Sequence, residues 1–314
     1  MKASELVLAP DGTLYHIRLC ADTLADKVIL VGDPGRVEMF KQIFDSVEFE
    51  SYNRELHALT GSYHGTRMTA LSTGMGCDNI DIVMTELDAA VNVNIKTSRP
   101  QDIETSSPAD LKSRHLQIVR IGTSGSLQAD IDCGSHVAAE FAVGLDGLMN
   151  YYREWDTPLP DMEQAFDAHM QLDARLAHPY CVKGSAMLLD KVACDMHHGI
   201  TATAPGFYGP QGRAIRLHPS IDGLNEKLAS FTWAESRNNS SLLTPHSSLK
   251  VTNLEMETSA IYGFSHLLGH EALTVCLIIA NRPRGTFLND YHGPMRQLVG
   301  TVVERLCQQN CVVE

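Results

Sequence analysis

Lys27-Val28-Ile29-Leu30-Val31-Gly32-Asp33-Pro34-Gly35-Arg36 is the stretch whose reading decides the fold. An apolar run of strand length closes on a glycine, and a helix opens directly behind it. Pro34 suits a first helical turn, where its missing N–H is no loss. Gly32 lets the backbone pass close to a ligand. The same grammar recurs along the chain. Apolar runs of strand length stand at residues 27–32, 68–74, 116–122, 136–143, 182–189, 199–204 and 273–281. Helical patterns stand at 33–44, 78–93, 257–268 and 291–307, the second with apolar residues at Ile80, Val83, Met84 and Leu87. Strands alternating with helices imply an α/β sandwich with a parallel or mixed sheet. Such sheets bind ligands beyond the C-terminal ends of their strands, so the glycine-bearing strand ends are where chemistry is to be sought.

The chain has 314 residues, with no internal repeat, and reads as a single domain. Two polar stretches, around residues 92–113 and 235–248, read as surface excursions from it. The net charge of −13 opposes binding to nucleic acid or to acidic membranes, both polyanions. Residues 1–11 lack the pattern of a signal peptide, and no apolar run reaches the roughly 18 residues of a membrane span. The expectation is a soluble, cytoplasmic protein. Eight cysteines are scattered without a CxxC pair, which predicts free, mostly buried thiols in a reducing compartment and no zinc site. Arginines outnumber lysines 16 to 9. Arginine is the better fork for phosphate and carboxylate, so the arginine positions matter.

Five strand-end motifs carry the candidate chemistry, and each has an ordinary structural reading beside the functional one. Gly32 to Arg36 offers helix-start amides and a guanidinium to an anion, or is a plain turn with a solvated arginine. Arg120-Ile121-Gly122-Thr123-Ser124-Gly125 puts an arginine inside an apolar strand. It serves an oxyanion, or an internal salt bridge to a core carboxylate. Ser72-Thr73-Gly74-Met75-Gly76 is a tight turn or a crevice-lining loop. Glu255-Met256-Glu257 places two carboxylates at a helix start, to cap it or to accept hydrogen bonds from vicinal sugar hydroxyls. Gly206-Phe207-Tyr208-Gly209-Pro210-Gln211-Gly212-Arg213 is a surface loop with an aromatic anchor, or a pocket for a flat heterocycle. In that pocket Phe207 stacks, Gln211 donates and accepts, and Arg213 donates. There is no HExxH, no GxSxG and no P-loop. The combination points to phosphate, sugar and a flat base.

Gly32-Asp33-Pro34-Gly35-Arg36, Asn53-Arg54-Glu55, Arg120-Ile121-Gly122-Thr123 and Glu255-Met256-Glu257 occur in this order. In order and spacing they resemble the nucleoside phosphorylase family, over nearly the whole chain. The resemblance implies a three-layer α/β/α sandwich around a mixed central sheet, the phosphorylase/hydrolase-like fold. By position it implies a phosphate site of Gly32, Arg36, Arg120 and Thr123, with Arg54 supplied by a neighbouring subunit. It implies ribose contacts from Met256 and Glu257, with Glu255 beside them and His16 from the neighbour. Phe207, Gln211 and Arg213 resemble the uracil-reading loop of the uridine branch. Purine-cleaving relatives carry an aspartate after the last core strand. Here that place reads Ile278-Ile279-Ala280-Asn281-Arg282, similar to the uridine branch except for Ala280 in place of its usual valine.

Uridine phosphorylase activity is therefore the expectation: uridine and phosphate to uracil and ribose 1-phosphate. Arg120, Glu257 and Arg213 would carry the catalysis. The reaction needs no cofactor. Glu55 matches a glutamate that holds a monovalent cation at the dimer interface of some relatives, although Asn79 stands where a serine would be. A homodimer, or a trimer of dimers, is implied as the working assembly. The rival readings are a purine nucleoside phosphorylase, a nucleoside hydrolase of the same fold, and a non-catalytic nucleoside-binding protein.

Overall fold

The computed structural model describes residues 4–93, 114–234 and 248–308. The opening motif folds as read. β1 (Lys27–Val31) runs straight into α1 (Pro34–Phe40), and Asp33 caps that helix by accepting from the Gly35 N–H at 2.8 Å. The elements that follow are β2 (Ser46–Asn53), β3 (Leu56–Tyr63), β4 (Thr66–Ser72), α2 (Cys77–Asn92), β5 (Gln117–Ser126) and β6 (His136–Gly144). Next come α3 (Pro160–Met170), β7 (Tyr180–Lys183), α4 (Ala186–Val192), β8 (His197–Thr203), α5 (Leu224–Ser230) and β9 (Thr232–Trp233). The chain continues through β10 (Leu249–Glu255), α6 (Thr258–Leu268), β11 (Glu271–Asn281), β12 (Thr286–Phe287) and α7 (His292–Cys307).

All twelve of these strands lie on or beside one mixed sheet path, β12-β11-β6-β8-β10-β5-β1-β4-β3-β2, with β7 on β6 and β9 on β10. β1 pairs in parallel with β4 and β5, whereas β2, β3 and β4 form an antiparallel meander. β11 pairs with β5 in parallel and with β6 antiparallel, so strands 5, 10, 8, 6 and 11 close on themselves. The expected central mixed sheet is present, with this closed portion as an addition that periodicity could not reveal.

Strand alternation sorts the apolar residues into two layers. Val28 and Leu30 pack with α2 (Ile80, Val83, Met84, Leu87) and α6 (Ile261, Tyr262, Phe264). Ile29 and Val31 pack on the opposite face with α1 (Val37, Phe40), α4 (Leu188, Leu189, Val192) and α7 (Leu298, Val299, Val302, Val303). Each such fully buried aliphatic side chain contributes about 1.5–3 kcal/mol relative to exposure. On β5, Ile118 belongs to the first layer and Val119 and Ile121 to the second. Arg120 therefore faces the α2/α6 side.

Three expectations are corrected or bounded. The strand predicted at 182–189 is a short strand followed by a helix. Gly184 interrupts the run, and Ser185 caps α4 by accepting from the Leu188 N–H at 3.2 Å. Six cysteines are free thiols, of which Cys77, Cys181 and Cys276 are buried, but Cys194 is disulfide-bonded. Of the two polar stretches, residues 94–113 and 235–247 lie outside the described residues. No helix among the described residues is long and apolar enough to cross a membrane.

Candidate active site

A cavity of about 850 Å³ opens where β1, β4, β5, β10 and β11 end, within the size range of small-molecule sites. A second cavity of about 830 Å³ lies on the far side of the 208–213 segment, walled largely by Leu145, Leu172, Leu176, Ile221 and Leu224. Only the first collects the converging polar groups of the strand-end motifs, and it is the candidate site.

At one end lie Gly32, Asp33, Pro34 and Arg36 from the β1–α1 turn, and Arg120, Thr123, Ser124 and Gly125 from β5. Arg36 is buried, donates from Nη1 to the Ile121 carbonyl at 3.3 Å, and leaves Nε without a partner. It makes no ion pair among the described residues. Burial, with the positive Arg120 nearby, pushes its pKa down. A buried guanidinium in that state favours an arriving anion, because the anion offsets a desolvation cost already incurred. The glycines of this end have specific jobs. A side chain on Gly32 would press on the Gly74 carbonyl at 3.3 Å, and one on Gly74 would meet the Glu55 side chain at 2.9 Å. Gly74 also holds φ +71°, and Met75 beside it is exposed at the rim.

In the middle, Arg120 is clasped between Glu255 and Glu257. Its Nη1 lies 2.9 Å from Glu255 Oε2, and its Nη2 donates to Glu257 Oε2. The internal ion pair is present, and the same arginine lines the cavity. Its Nε remains unpartnered. Burial alone would lower its pKa, but Glu257 and Glu255 outweigh that and raise it. Burial, reinforced by Glu255, pushes the Glu257 carboxyl up against the pull of Arg120. Glu257 Oε1 accepts from the Gly76 N–H at 2.6 Å. Met256 lines the cavity between the two carboxylates.

The other end presents an aromatic ring and two arginines. Phe207 lies under the Arg213 guanidinium, 3.8 Å from its Cζ to the ring centre. Arg213 donates from Nη1 to Gln211 Oε1 at 2.6 Å and to the Phe207 carbonyl. Arg282 holds the same loop from below, with Nη2 2.7 Å from the Gln211 carbonyl oxygen and Nη1 unpartnered. Burial, with Arg282 close by, pushes the Arg213 pKa down to about 10, so the guanidinium stays charged at neutral pH. Ile279 and Ala280 both face the cavity because β11 bulges between them: Ile278 pairs with Ser124 and Ala280 with Gly125, leaving Ile279 as the extra residue. No carboxylate among the described residues stands at this end. Asn281 is committed to structure, its amide donating to the carbonyls of Gln128, Ala129 and Ile131 and its carbonyl accepting from the Arg284 N–H.

Twelve of the fourteen residues expected in the site line this one cavity; His16 and Arg54 do not. His16 Nδ1 lies 2.5 Å from Glu86 Oε1 on α2, and the His16 N–H donates to the same carboxylate. Arg54 sits exposed at the β2–β3 turn with a left-handed φ of +58°. The two belong to one surface, because the Asn53 amide donates to the carbonyls of Tyr15 and His16 at 2.9 and 3.1 Å. Glu55, next to Arg54, does line the cavity and accepts from the Asn79 amide at 3.2 Å. Arg282 and Phe287 were not singled out by sequence reasoning. Arg282 had a signal, an arginine directly after an apolar strand; Phe287 had none.

Residues 26–294 match the model of the phosphorylase superfamily. The chain belongs to this superfamily. Among the relatives of this phosphorylase superfamily member is a uridine phosphorylase of Thermococcus kodakarensis, 28% identical, covering 88% of this chain and 80% of that one. A guanosine phosphorylase of Halorubrum lacusprofundi is 30% identical over 47% of this chain and 52% of its own. Among solved structures, a Trypanosoma brucei nucleoside phosphorylase with uridine phosphorylase activity superposes with a TM-score of 0.81. It is 29% identical and covers 96% of this chain and 99% of that chain. The expected family and fold are borne out.

Proposed function

We propose that the chain is a uridine phosphorylase, converting uridine and phosphate to uracil and ribose 1-phosphate. One observation carries this reading: a single cavity has a buried, unpaired Arg36 at one end and the acid-free Phe207–Arg213 loop at the other. Relatives with uridine phosphorylase activity that cover most of the chain support it.

Phosphate rests on the amides around Gly32 and Thr123 and on Arg36 and Arg120, with Arg54 of a second copy closing the site. Glu257 has acceptor capacity left for the ribose hydroxyls, Met256 packs on the sugar, and His16 of the second copy reaches its far end. A phosphate oxygen bonds to the anomeric carbon from the face opposite the base as the bond from that carbon to the base nitrogen breaks. The bond's electron pair leaves with uracil. Preorganised cations hold the phosphate against the positive charge developing on the sugar. Arg213, with Gln211 fixed beside it, stabilises the negative charge gathering on the base, so no acid at the position of Asn281 is required. The exposure of Arg54, away from its own chain's cavity, supports a role in the site of a second copy, and a homodimer is the smallest assembly that completes that site. Glu55 and Asn79 are the pair that would hold a monovalent cation there. The cytoplasm is the proposed place of action.

The deciding experiment follows uridine with and without inorganic phosphate. Phosphate-dependent release of uracil with ribose 1-phosphate is expected. Cleavage at the same rate without phosphate would make the protein a hydrolase, and preference for inosine would make it a purine enzyme. Arg213→Ala is expected to lower kcat/KM for uridine by about 10²-fold, the scale for one preorganised donor, while the KM for phosphate holds. Steady-state kinetics with each substrate varied would check it, and equal losses for both substrates would make Arg213 structural.

A further inference from the structure

We propose that Glu255 is not a sugar ligand but the positioning residue that fixes Arg120 and Glu257 for the reaction. The inference rests on the uridine phosphorylase reading and assigns a division of labour within its site. The two carboxylates of Glu255-Met256-Glu257 look equivalent in sequence, yet their surroundings differ.

A carboxylate offers about four acceptor positions. Those of Glu255 are filled from within the protein. Oε1 accepts from the Thr203 hydroxyl at 2.7 Å and the Thr258 N–H at 3.1 Å. Oε2 accepts from the Glu257 N–H at 2.9 Å and lies 2.9 Å from Arg120 Nη1, with the Thr258 N–H shared at 3.1 Å. The side chain is 1% exposed. Glu257 has two protein donors among the described residues, Gly76 N–H and Arg120, and it keeps the remaining positions for a ligand.

The donors to Glu255 explain its work. The Glu257 and Thr258 amides are the first of α6, and helix-start amides need acceptors from outside the helix. No side chain at Glu257 caps α6, so Glu255 does it from two residues upstream. The same carboxylate holds one edge of the Arg120 guanidinium. One buried anion therefore sets both the backbone that carries the sugar-binding carboxylate and the cation shared with phosphate. Thr203, at the end of β8, anchors the anchor: its hydroxyl donates to Glu255 and its oxygen accepts from the Ser259 N–H at 3.0 Å.

The test is Glu255→Gln, which keeps shape and removes charge, assayed with uridine and 2′-deoxyuridine and titrated with inorganic phosphate by calorimetry. A misplacement of Arg120 and Glu257 is expected to lower kcat/KM for both nucleosides by the same factor, about 10². It also weakens phosphate binding, while the ribo-to-deoxy ratio stays at the wild-type value. Glu257→Gln changes that ratio. Thr203→Val, outside the cavity, reproduces the Glu255→Gln pattern in milder form and serves if Glu255→Gln fails to fold. A loss confined to uridine would make Glu255 a ligand of the 2′-hydroxyl and overturn the proposal, as would unchanged phosphate binding in both variants. Failure of the wild type to cleave uridine would sink the underlying reading instead, and the phosphate titration would still decide the role of Glu255.

Discussion

Arg120→Ala is expected to lower turnover by about 10² or more, the scale on which one preorganised charge donor acts. It is also expected to lower the melting temperature. Its guanidinium is the cation between Glu255 and Glu257, both almost fully buried, and its removal leaves two carboxylates facing each other in the interior. Breaking a buried pair from one side costs about 3–5 kcal/mol, because the stranded charge keeps its desolvation penalty. Lysine does not substitute: it keeps the charge but lacks the planar fork that reaches two carboxylates at once. Kinetics at saturating uridine with phosphate varied, beside a thermal melt, would check both halves. Near-normal phosphorolysis would remove Arg120 from the phosphate site and leave it only its structural role.

Gly122→Ala should reproduce much of that defect without touching a charge. Gly122 lies two residues beyond Arg120 on the same face of β5, and its partner across the ladder is Cys276 of β11. An added methyl would stand 2.8 Å from the Arg120 Cζ and 3.0 Å from the Cys276 Sγ. A free arginine would swing away at little cost. This one is held at both ends by carboxylates and has nowhere to go without giving one up. Overpacking of this kind costs about 1–3 kcal/mol, and an ångström of displacement at a reacting centre costs about 10²-fold in rate. Equal activity in the variant and the parent would show that the position of the guanidinium is unimportant, which would count against the mechanism. A crystal structure of the variant with phosphate would locate the displaced Arg120.

Much of this was legible in the chain because backbone chemistry is local. An apolar run ending in Gly32-Asp33-Pro34 can do little but turn from a buried strand into a helix, and Arg120 inside an apolar run announces a buried charge that needs a counterion. What escaped is of two kinds. β2 and β3 carry an edge of the sheet: β2 is largely exposed, and its brief Val47-Glu48-Phe49-Glu50 alternation makes no apolar run. Residues 182–189 read as one strand because periodicity cannot see the break that Gly184 and Ser185 impose. The second kind is long-range. The hydroxyl that fills Glu255 belongs to Thr203, 52 positions earlier. The donors that lock Gln211 come from Arg213 in the same loop and from Arg282 at the end of a distant strand. Which carboxylate of a Glu-Met-Glu triplet is saturated and which is open depends on partners that no window of sequence contains.

The bulge at Ile279 bears on how such a pocket changes over time. In a regular strand every second side chain belongs to the interior, so altering a ligand contact also disturbs its neighbours in the core. The extra residue in β11 turns two consecutive positions, 279 and 280, to the cavity while Leu277 and Ile278 stay packed; Ile279 still packs on the core behind it, whereas Ala280 is in no core cluster among the described residues. Position 280 is therefore where this wall of the cavity can be widened or narrowed one methyl group at a time, with the strand register and the far end of the cavity left as they were. A lineage, or an experimenter, can move between nucleobases there without first rebuilding the protein.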